Sequence, residues 1–90
     1  MDQIFIHPHA MVHGLTENEL RDAWESGGPR MPRSSPHEDE VVAIGWTRDG
    51  RAIQMVGVVK DFGVLIIHGM EPPTERIMKE LGIKKERRRQ

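Results

Sequence analysis

The chain has 90 residues, 13 basic and 14 acidic side chains for a net charge of -1, and no cysteine. A chain of this length holds one hydrophobic core, and the lack of thiols excludes disulfides, thiolate zinc sites and cysteine nucleophiles. The opening Met1-Asp2-Gln3-Ile4-Phe5-Ile6 has neither the basic residues nor the long apolar stretch of a secretory leader, and no apolar run reaches membrane-spanning length. The expectation is a soluble, cytoplasmic protein with no membrane partner.

Charge is uneven along the chain. Glu38, Asp39 and Glu40 form an acidic knot, and Lys84, Lys85, Arg87, Arg88 and Arg89 make a basic end, without which the remainder is acidic. The expected organisation is a single domain over residues 1–83 followed by a basic tail over 84–90.

Gln3 to Ile6 reads as a short strand. Pro8 suits the first position of a helical turn, and Gly14 its left-handed stop. Thr16 and Glu19 have capping-box spacing, with Leu15 and Leu20 placed as a hydrophobic staple, so a helix begins there. Leu20, Ala23 and Trp24 share its apolar face, and Ser26-Gly27-Gly28-Pro29 ends it. The three prolines between Pro29 and Pro36 leave too few backbone donors for a central strand, so this stretch is a loop with at most a ragged edge.

Three strands follow. Val41 to Thr47 is apolar and β-branched, Arg48-Asp49-Gly50 turns the chain, and Arg51 to Val59 returns. Lys60-Asp61-Phe62-Gly63 turns again into Val64 to Met70. Both faces are rich in apolar residues, so both need covering, one by helices and the other by loops or a partner. Glu71-Pro72-Pro73 breaks the sheet, Pro73 sets up a last helix with Ile77, Met78 and Leu81 inward, and Gly82 closes it. The predicted fold class is α+β: an antiparallel three- to four-stranded meander with helices packed on one face.

Histidine and arginine carry the candidate chemistry. His68 falls in phase with Val64, Ile66 and Met70 near the end of an apolar strand, where a partly desolvated ring suits general acid–base work near neutral pH. The alternative for His68 is a core-edge histidine bonded to a backbone carbonyl. His7, His9 and His13 have spacings that could pair imidazoles on a metal, but no HExxH-like pattern accompanies them, and neither a metal nor another cofactor is expected. Arg33 in the proline-rich loop and Arg51 at the hairpin could converge with His68 on a phosphodiester, for which the guanidinium fork is well shaped, and Arg76 lies in the first turn of the last helix; separately, each is an ordinary solvated arginine. The tail is a solubilising end or a basic arm that meets RNA or an acidic peptide.

The order of these signals resembles a known family. His13-Gly14 runs into a capped helix, then come a polar loop, an acidic lead-in, a strand containing Gly45, the Asp49-Gly50-Arg51 turn and a β-hairpin. From about His9 to Leu81 this series is similar to the BrnT-type toxins of bacterial toxin–antitoxin systems. The resemblance implies a RelE-like fold, an endoribonuclease activity, and an antitoxin partner that covers the sheet and represses the shared operon. His13 would match the family's histidine ahead of the helix and Arg51 its hairpin arginine. Such toxins end their last strand with several basic residues, whereas Val64-Leu65-Ile66-Ile67-His68-Gly69-Met70 offers one histidine and no arginine. Charge stabilisation would then fall to Arg33, Arg51 and Arg76. On this basis His68, Arg51, His13 and Arg33 are the candidate catalytic residues, and Arg76, Lys84, Lys85 and Arg87 the candidate RNA contacts. RNA and a second copy of the chain join the antitoxin as candidate partners. The second functional expectation is a non-catalytic protein-binding module of the same fold.

Overall fold

The computed structural model describes residues 3–34 and 36–83. In chain order the elements are β1 (Gln3–Ile6), a 3-10 turn (Pro8–Met11), α1 (Glu17–Glu25), β2 (Arg30–Pro32), β3 (Glu40–Trp46), β4 (Ala52–Lys60), β5 (Gly63–Met70) and α2 (Glu75–Glu80). The strands make one five-stranded sheet in the order β1-β5-β4-β3-β2. The β2–β3, β3–β4 and β4–β5 pairings are antiparallel, and short connections join each pair. β1 instead lies parallel to β5, with Ile4 opposite Val64 and Ile6 opposite Ile66. The sheet is therefore mixed and not purely antiparallel. A parallel pair needs a long connection between its strands, and the chain from the 3-10 turn through β4 supplies it.

The capping box forms as its spacing requires. The Glu19 N–H donates to the Thr16 hydroxyl at 3.1 Å and the Thr16 N–H to the Glu19 carboxylate at 2.9 Å. Leu15, Leu20, Ala23 and Trp24 then pack with Ala43, Ile53, Met55, Val64 and Ile66 in one core. α1 lies so close to β3 that a Cβ on Gly45 would stand 1.8 Å from the Ala23 carbonyl oxygen. Only a glycine permits that approach.

A second core occupies the other face of the sheet, where Val42, Ile44 and Val56 meet Ile77 and Leu81. The two helices thus lie on opposite faces, not on one. Both faces of β3 and β4 carry apolar side chains, and a single helix can cover only one of them; α2 removes the other from water. β2 is a three-residue strand on the sheet edge with all its residues exposed, as its proline content dictates.

The β4–β5 ladder contains an irregularity. Gly57 is opposite Ile66 but Val56 is opposite His68, leaving Ile67 as an extra residue. A bulge of this kind shifts the alternation of side chains by one. Ile66 joins the α1 core while Ile67 packs on the α2 core. His68 is out of phase with Val64 and Ile66, contrary to the simple alternation of the sequence.

Candidate functional site

The shift at Ile67 turns His68 toward α2. There it lines a cleft of about 480 Å³ whose polar wall is Arg33, Glu40, Gln54, Thr74 and Arg76, over an apolar floor of Val56, Ile67 and Ile77. β4 supplies Gln54, β5 supplies His68, and the start of α2 supplies Thr74 and Arg76. Arg33 reaches in from the segment just after β2. Three of the predicted residues, His68, Arg33 and Arg76, therefore share one cleft. His13 stands beside it, its ring edge-on to that of His68 with centroids 6.0 Å apart.

Arg51 does not join them. It opens β4 at the hairpin end of the sheet, and its guanidinium is held by Glu19, by Asp49 at 3.2 Å and by Glu71 at 2.6 Å. The bonds to Glu19 and Asp49 hold the guanidinium charged well above its already high ordinary range. The link spans the start of α1, the β3–β4 turn and the exit of β5. Arg51 is a structural clamp: its guanidinium pairs with carboxylates from three segments, and it is absent from the lining of the cleft that holds His68, Arg33 and Arg76.

Arg33 is engaged but not exhausted. Its Nε and one terminal nitrogen donate to Glu80 at 2.8 and 3.3 Å, and the other terminal nitrogen donates to Glu40 at 3.1 Å. Three of five N–H donors are used, so two remain for a ligand. Arg76 has no ion-pair partner among the described residues. Lys84, Lys85 and Arg87 lie outside the described residues.

His68 is anchored by a residue that inspection of the sequence passes over. Gln54 is nearly sealed from solvent, at 4 % exposure, in the apolar run of β4. Its Oε1 accepts the Thr74 backbone N–H at 2.7 Å. Its amide nitrogen lies 3.0 Å from Nε2 of His68 and 3.9 Å from the Met70 sulfur. Because Oε1 is occupied by a donor, the amide nitrogen must face His68, and Nε2 must accept. His68 is thus neutral, with its proton on Nδ1. Its bond is to a side-chain amide and not to the backbone carbonyl that a core-edge histidine would use. Burial lowers its pKa, with the charges of His13, Arg33 and His9 adding to that effect. A lone glutamine within an apolar strand is the one sequence signal that pointed to this partner, since a buried amide must find hydrogen bonds.

Among the described residues no three His, Asp or Glu side chains converge on a common point. His7 instead accepts the His9 N–H at 3.0 Å and caps the 3-10 turn. No described helix is long and apolar enough to cross a membrane.

Comparison with known proteins adds no identity. No family model matches the chain, and no curated protein or solved structure is significantly similar to it.

Proposed function

We propose that this chain is a toxin-type endoribonuclease restrained by a cognate antitoxin protein. One observation carries the proposal: His68 opens onto the same cleft as Arg33 and Arg76, with the His13 ring against it. Two imidazoles beside two guanidinium groups make up the inventory that phosphodiester cleavage needs, namely proton transfer and compensation of phosphoryl charge. The resemblance of the His13-Gly14 and Asp49-Gly50-Arg51 segments to BrnT-type toxins supplies the RNA substrate and the antitoxin partner.

In this mechanism the 2′-hydroxyl of a ribonucleotide attacks the adjacent phosphorus and the bond to the 5′-oxygen breaks. His13, which is exposed, accepts the 2′-hydroxyl proton, and water returns a proton to the 5′-oxygen. His68 does not serve as the base, because Gln54 occupies its Nε2 lone pair. It donates from Nδ1 to a non-bridging phosphoryl oxygen. Arg76 and the two uncommitted donors of Arg33 offset the charge that grows on the phosphoryl group. The products carry a 2′,3′-cyclic phosphate and a 5′-hydroxyl.

A second reading, a non-catalytic protein-binding module, is favoured by a different observation: Glu40 and Glu80 pair with Arg33 at the cleft. A carboxylate on the wall repels an incoming phosphate and suits a basic peptide. Controlled expression in a bacterium separates the two. The nuclease arrests growth and yields RNA fragments with 5′-hydroxyl ends, and His13→Ala relieves both effects. Normal growth with intact RNA leaves the binding module.

A further inference from the structure

We propose that Gln54 is a positioning residue whose two-ended amide couples the protonation of His68 to the seating of α2 over the cleft. The coupling follows from donor and acceptor chemistry. Gln54 links β5 to α2 because its amide nitrogen donates to His68 while its oxygen accepts from the Thr74 N–H, 2.7 Å away. Thr74 is the N-cap of α2 and receives the Ile77 N–H on its own hydroxyl at 3.3 Å.

A second proton on His68 places an N–H against the amide NH2, two donors facing each other. Turning the amide by 180° satisfies the imidazolium but sets the NH2 against the Thr74 N–H, which is again donor against donor. No orientation of Gln54 satisfies both neighbours once the ring is charged, and a buried polar group left unpaired is costly. Protonation therefore breaks one of the two bonds. The His68 bond gains strength when its donor becomes cationic, so the Thr74 bond is the one released. α2 then loses its tie to β4 at its start while retaining the Arg33–Glu80 pair at its end.

The groups that face the ring set the direction. Burial disfavours a charged imidazole most, followed by His13 from the chain ahead of α1, Arg33 from the segment after β2, and His9; Arg76 from α2 also lines the cleft. Glu40 also lines the cleft, where it is paired with Arg33. The start of α2 is seated at neutral pH and loosens as the medium acidifies. A polyanion in the cleft attracts the proton and has the same effect.

Nitrogen-15 spectra of the full chain test the coupling. At pH 7.5 His68 should show the Nδ1–H neutral tautomer. On acidification, the protection factor of the Thr74 amide, taken relative to its intrinsic exchange rate at each pH, should fall at least about 10-fold with the same midpoint as the His68 ring. In Gln54→Glu a carboxylate can accept from both neighbours, so the His68 midpoint should move upward and Thr74 protection should no longer follow it. A neutral Nε2–H tautomer in the native chain, or Thr74 protection indifferent to the His68 titration, overturns the proposal. The description of Gln54 as positioning rests on the nuclease reading, but the spectra do not. A chain that cleaves no RNA and still shows the linked titration refutes the activity and leaves the coupling standing.

Discussion

His68 stands opposite Val56 in the β4–β5 ladder, on the face of the sheet opposite to that of Ile66, only two residues earlier. The extra residue Ile67 produces this relationship. Regular alternation would aim the imidazole into the α1 core, where it would meet only apolar side chains. The bulge aims it at Gln54, Thr74 and the guanidinium groups of the cleft.

The nuclease proposal makes Arg76 the most informative site to mutate. It lines the cleft and has no ion-pair partner among the described residues, so Arg76→Ala should leave the melting temperature within about one degree. Removing one preorganised donor from a charged transition state costs about 100-fold in rate. RNA cleavage by purified Arg76→Ala should fall by about that factor, and unchanged cleavage would remove Arg76 from the site.

Gly45 limits the distance between α1 and β3. A Cβ there meets the Ala23 carbonyl oxygen at 1.8 Å, and because that atom is backbone the helix itself must shift. Gly45→Ala should cost about 3 kcal/mol, the upper end of ordinary overpacking, in urea unfolding. A loss below about 1 kcal/mol would mean that α1 sits farther from the sheet.

Thr16→Ala removes one half of the reciprocal cap at the start of α1. The expected loss is about 1 kcal/mol. Thr16→Ser should recover most of it, since the accepting hydroxyl is retained.

Arg51→Met should expose the electrostatics of the clamp. The Glu19 carboxyl is held below its ordinary range first by its bond to the Thr16 backbone and then by Arg51; the Asp49 carboxyl is held low first by the Thr47 hydroxyl and then by Arg51. Groups depressed in this way stabilise the fold above their unfolded values, roughly pH 4, and lose that contribution as pH falls through the folded ones. The native chain should therefore be more stable than Arg51→Met near neutrality, with the gap closing toward pH 2. All these carboxylates are at least partly exposed, so added salt should narrow the gap as well. A gap that is independent of both pH and salt would show that Arg51 acts through packing alone.

His68 gives a slope at higher pH. Its depressed pKa means that below roughly pH 6.5 the unfolded chain binds a proton that the native chain resists. Stability should fall as pH drops from that value toward the native pKa, and His68→Phe should flatten this part of the profile in thermal melts. A mutant profile parallel to the native one would locate the titration elsewhere.

Local chemistry decided much of this protein before any contact was known. Thr16 and Glu19 announce a helix start because the cap satisfies its own donors within four residues. Gly50 and the Lys60–Gly63 turn define the strands on either side because a tight turn leaves only one way to pair. The prolines from Pro29 to Pro36 confine β2 to an edge because they lack donors. The parallel pairing of β1, the placement of α2 on the far face and the extra residue at Ile67 depend on contacts between segments remote in sequence, and no local pattern encodes them. The site divides along the same line. His68, Arg33 and Arg76 stand out by residue type, since few side chains can move protons or hold phosphate. That Arg51 is drawn into a clamp of three carboxylates apart from the cleft, and that Gln54 sets the state of His68, only the tertiary structure could decide, because the availability of a charge or a lone pair depends on which groups already surround it.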